Sequence, residues 1–62
     1  MQLDQAFIVQ LLSESRNGNL PETRLCRCYS ERFARSTFDA TLSELIDAGM
    51  VERIEPLHVR LK

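Results

Sequence analysis

The spacing of apolar residues changes abruptly at Gly49, and this change constrains the fold more than any other feature of the chain. Before Gly49, apolar residues recur every three or four positions. After it, Leu57, Val59 and Leu61 alternate with His58, Arg60 and Lys62. The first period lines one face of a helix and the second one face of a strand. Such a chain builds its helices first and pairs strands last. With 62 residues there is material for one domain, 1–62, and a domain of this size buries only about 60% of its unfolded surface. The expected class is mainly α with a small β-hairpin, an α+β fold.

Three helical segments precede the switch. From about Asp4 to Asn17, Phe7, Ile8, Leu11 and Leu12 share a face. Asp4 is placed to cap this helix, Leu3 and Ile8 to form a hydrophobic staple, and Gly18 to take the left-handed position that ends it. A second helix is expected from Pro21, which suits a first turn because its missing N–H has no intrahelical partner there. It runs to about Ser30, with Leu25 and Tyr29 inward, Cys26 and Cys28 flanking, and Thr23, Arg24 and Arg27 outward. A third is expected from about Ala34 to Ala48, with Ala34, Phe38, Thr41, Leu42, Leu45 and Ile46 as its buried stripe. Ser36, Ala40, Ser43 and Asp47 face away. Val51–Ile54 and the alternating tail then form a two-stranded hairpin, with Pro56 at the second position of its turn. Trp is absent, and Phe7, Phe33, Phe38 and Tyr29 are the only aromatics. The core is therefore expected to be mostly Leu, Ile and Val.

Net charge is −1, so the overall field attracts no particular partner, but its distribution is uneven. Residues 16–35 carry five arginines against Glu22 and Glu31, whereas residues 36–50 carry Asp39, Glu44 and Asp47 and no base. A basic middle permits an anionic partner. The longest apolar run, Ala6 to Val9, is far short of the roughly 20 residues a membrane span needs. Cys26 and Cys28 sit two apart, a poor spacing for a disulfide. On one helix they point about 200° apart and cannot grip one ion together. No second cysteine pair completes a four-ligand zinc site. These features lead us to expect packed thiols, no metal, no cofactor, no membrane partner and a cytoplasmic setting. No phosphate loop or nucleophile motif is present, so a binding protein is expected and not an enzyme.

The segment from Ser36 to Arg53, Ser-Thr-Phe-Asp-Ala-Thr-Leu-Ser-Glu-Leu-Ile-Asp-Ala-Gly-Met-Val-Glu-Arg, resembles the recognition helix and first wing strand of the winged helix-turn-helix superfamily. It looks most like bacterial and archaeal repressors of the antibiotic-resistance and arsenic-resistance types. The resemblance implies three helices plus a short two-stranded wing, and a small regulator of phage, plasmid or accessory type that reads double-stranded DNA with its third helix. On that basis Arg24, Arg27, Arg32 and Arg35 would meet phosphates, where the planar guanidinium pairs with oxygens. Ser36, Thr37, Ala40 and Ser43 would lie nearest base edges, and His58 and Arg60 on the wing would touch flanking backbone. The chain departs from the pattern in its very short wing, in a third helix exposing more acid than base, and between Ser30 and Arg35. The alternative is a winged-helix module that binds another protein without DNA. A homodimer is a further expectation, through the small residues Ala6, Val9 and Ser13.

Overall fold

The computed structural model describes residues 1–55 and 57–62. Among them are three α-helices and three strands. Helix α1 spans Leu3–Glu14, strand β1 Asn19–Pro21, helix α2 Glu22–Ser30, a single 3₁₀ turn Arg35–Thr37, helix α3 Phe38–Asp47, and strands β2 and β3 Val51–Ile54 and His58–Leu61. The α+β class holds. The two-stranded expectation does not, because β3 is the middle of a three-stranded antiparallel sheet of order β1-β3-β2. The added strand pairs Asn19 with Arg60, Leu20 with Val59 and Pro21 with His58. Pro21, expected inside α2, therefore closes an edge strand, where a proline removes no ladder hydrogen bond from a central strand.

One core joins all the layers. Ile8 and Leu12 of α1, Leu25 and Tyr29 of α2, Phe38, Leu42 and Leu45 of α3, and Val51 and Val59 of the sheet are buried. The aliphatic expectation is met apart from buried Tyr29 and Phe38, from which a chain of four aromatic rings runs out to half-buried Phe33 and Phe7. Phe7 meets Phe33 at 5.5 Å between centroids, Phe33 meets Tyr29 at 5.1 Å, and Tyr29 meets Phe38 at 5.3 Å. Such tilted and edge-on pairs add about 0.5–1.5 kcal/mol each beyond their buried area.

The helix ends explain several departures from expectation. Gln2 caps α1 and its N–H donates to Gln5 Oε1 at 3.0 Å. Asp4 is not the cap. Its Oδ2 accepts from Thr41 Oγ1 at 3.0 Å and from the buried Tyr29 hydroxyl at 3.3 Å, tying α1 to α2 and α3. Leu3 is 82% exposed and makes no staple. Helix α1 stops at Glu14, so Gly18, with φ of 69°, turns the chain into β1 beyond the helix end. Ala34 is exposed outside α3, whose entry is the 3₁₀ turn. At the far end of α3, Gly49 takes φ of 76°; its N–H donates to the Ile46 carbonyl and that of Met50 to Leu45, both at 3.0 Å. This pair of bonds satisfies the last helical carbonyls with a left-handed glycine, and it delivers Val51 into the core.

Leu57, expected on the inward face of the last strand, sits in the hairpin turn, 80% exposed, with φ of 53°. A non-glycine residue there costs roughly 1–2 kcal/mol. The conformation is held because the Leu57 carbonyl accepts from the first N–H of α2, that of Glu22, at 2.9 Å. Pro56, expected in this turn, lies outside the described residues.

Candidate nucleic-acid interface

Helix α2 turns Leu25 and Tyr29 into the core, which forces Arg24 and Arg27 outward on the opposite side. Four residues separate α2 from the 3₁₀ turn, and Arg35 of that turn comes to the same groove as Arg27. The two guanidinium-bearing side chains line one open groove of about 490 Å³ with Thr23, Cys26, Ser30 and Glu31. Helix α3 follows directly. Phe38, Leu42 and Leu45 are inward, so Ala40, Ser43 and Asp47 share the opposite, exposed face. Ser36, also exposed, stands at the entrance to that helix.

The 3₁₀ turn is anchored from below. Thr37 Oγ1 lies 2.6 Å from the Tyr29 hydroxyl and donates to the Ala34 carbonyl at 2.8 Å. Tyr29 also reaches Thr41 Oγ1 at 3.2 Å. A buried hydroxyl with several partners is costly to leave unsatisfied, so this cluster holds Arg35 and Ser36 where they are. It also engages the hydroxyl of Thr37, a residue that is itself exposed, with Tyr29 and the Ala34 carbonyl.

The remaining expected contacts are dispersed. Arg32 lies over the Phe7 ring, 5.5 Å from its centroid, on the α1 side of the molecule. Arg60 donates to Glu52 at 2.9 Å, directly across the β2–β3 ladder. Arg53, also in the hairpin, donates to Glu22 at 3.0 Å. His58 is half-buried and pairs with Pro21 and Ile54 in the sheet. Among the described residues, Arg24, Arg27 and Arg35 form no salt bridge. The structure thus brings Arg27 and Arg35 to one groove, leaves Arg24, Ser36, Ala40 and Ser43 exposed on α2, the turn and α3, and places Arg32, His58 and Arg60 elsewhere. Asp39 and Asp47 are also exposed on α3. Cys26 and Cys28 are free thiols, half-buried on opposite flanks of α2.

Sequence reasoning missed the Asp4–Tyr29–Thr37–Thr41 cluster. Its local signals were two hydroxyl residues, Tyr29 and Thr41, on otherwise apolar helix faces. Among the described residues no helix is long and apolar enough to cross a membrane. Comparison of the chain with protein-family models, with curated proteins and with solved structures produced no match.

Proposed function

We propose that this chain is a winged helix-turn-helix protein that binds double-stranded DNA and acts as a small transcriptional regulator. The observation that carries this is the sorting of its arginines. Those of the hairpin are neutralised by carboxylates, while Arg24 and Arg27 on α2 and Arg35 in the turn that leads into α3 stand exposed. In a helix-turn-helix the second helix enters the major groove by its N-terminal residues and the first crosses the backbone. With α3 as the second helix, the three arginines fall on phosphates, and Ser36, Ala40 and Ser43 face base edges. Asp39 is repelled by phosphate but can accept from a cytosine amino group.

A second reading has its own observation. Asp39 and Asp47 are exposed on α3, and an acidic helix suits a basic protein partner. Fluorescence anisotropy with random duplex separates the two. DNA binding predicts a Kd of about 10⁻⁴–10⁻⁶ M near physiological salt, tightening steeply as salt falls. No duplex binding at low salt, where the electrostatic term is strongest, would overturn the DNA reading and favour the protein-interaction one.

A further inference from the structure

Helix α1 carries apolar side chains beyond the stripe it buries. Ile8 and Leu12 are buried, Phe7 and Leu11 are only half-covered, and Leu3, one turn before Phe7 on the same side, is open to solvent. Apolar residues beside a buried stripe widen the helix's apolar face, and here the edge of that face is left open. That edge forms a groove of about 210 Å³ lined by Phe7, Gln10, Leu11, Glu14 and Arg32. It is distinct from the strip of Ala6, Val9 and Ser13, of which Val9 is packed against the core and Ser13 donates to the Gln10 carbonyl.

We propose that this groove is the interface of a two-fold homodimer in which α1 packs antiparallel against α1 of a second copy. A two-fold interface must be self-complementary, with each copy supplying both halves of every contact. This surface meets that condition. Arg32 stands over Phe7, and Glu14 lies seven residues further along the same helix face, about 10 Å away at the helical rise. An antiparallel crossing centred between Gln10 and Leu11 sets the Phe7 position of one copy opposite the Glu14 position of the other. Each Arg32 then meets the other copy's Glu14, twice per dimer, across an apolar strip of Phe7 and Leu11. Among the described residues neither Glu14 nor Arg32 has an ion-pair partner within its own chain; Glu14 accepts one bond, from Gln10 Nε2 at 3.1 Å. The acidic and basic ends of the groove therefore identify a second copy of this chain as its occupant. The groove lies apart from the face carrying Arg27 and Arg35, so the dimer does not depend on the DNA reading.

Sedimentation equilibrium without DNA, over micromolar to millimolar protein, tests this. The parent chain is expected to approach twice its mass of 7.2 kDa. Glu14→Arg and Arg32→Glu, both at exposed positions, should each retain the parent circular dichroism spectrum. Each should raise the dimer Kd at least about tenfold, because two attractive contacts become two repulsive ones. The double variant, which exchanges the charges, should return to near the parent Kd. A chain that stays monomeric throughout the range overturns the proposal. So does a dimer insensitive to both single reversals, or a double variant no tighter than either single one.

Discussion

The hairpin and the α2 face carry similar numbers of arginines and use them in opposite ways. Arg60 faces Glu52 because strand register sets the two opposite each other, and Arg53 reaches Glu22 where the start of α2 abuts the hairpin. On α2, the residue one turn beyond Arg27 is Glu31 and the one beyond Arg24 is Cys28. A base preceding an acid by four positions is the weaker order on a helix, and no Arg27–Glu31 pair forms among the described residues. Charge in the hairpin is thus paired within the fold, whereas Arg24 and Arg27 on α2 form no salt bridge among the described residues. Composition alone treats these arginines as equivalent.

Three substitutions break or sharpen that contrast. The largest effect is expected from Leu42→Ala. Leu42 is fully buried beneath both regions, and its truncation should cost about 2–5 kcal/mol. In so small a domain that is a large share of total stability, so the helical circular dichroism signal should collapse. A variant folding like the parent would show that α3 is not the centre of the core.

An intermediate effect is expected from Tyr29→Phe, which keeps the ring stack and removes the hydroxyl shared by Asp4, Thr37 and Thr41. Loss of that group should lower stability by about 1–3 kcal/mol in urea titrations. It should also weaken duplex binding through the loosened turn that carries Arg35. Unchanged stability would mean that the cluster does not hold the turn.

The smallest and most discriminating effects come from the arginines themselves. Arg27→Ala and Arg35→Ala should each flatten the slope of log affinity against log salt by about one, with all sequences weakened alike. Arg53→Ala and Arg60→Ala should leave the slope unchanged and cost about 0.2–1 kcal/mol of stability, as half-exposed ion pairs do. Equal slope changes in both sets would erase the contrast between the two regions.

Much of this architecture was readable residue by residue. The inward faces of α2 and α3 and the turn at Gly49 follow from local rules, because helical period and left-handed backbone preference act over a few positions. Strand β1 was not readable. Asn19-Leu20-Pro21 has no strand pattern of its own, and it pairs only because β3, about forty residues later, offers an open edge. Leu57 alternates in sequence like a strand residue, yet its conformation is set by the Glu22 N–H, a partner 35 positions away. Of the candidate site, the basic stretch was visible as composition. Its division into paired, ring-stacked and open arginines was not.

By itself, then, the sequence determined the inward faces of α2 and α3, the turn at Gly49 and the presence of a basic stretch, since each depends on neighbours within a turn or two. The tertiary structure alone decided the third strand, the burial of Tyr29 over Asp4, and which arginines meet a carboxylate. Those outcomes depend on pairs far apart in the chain, and such pairs acquire a distance only when the core closes.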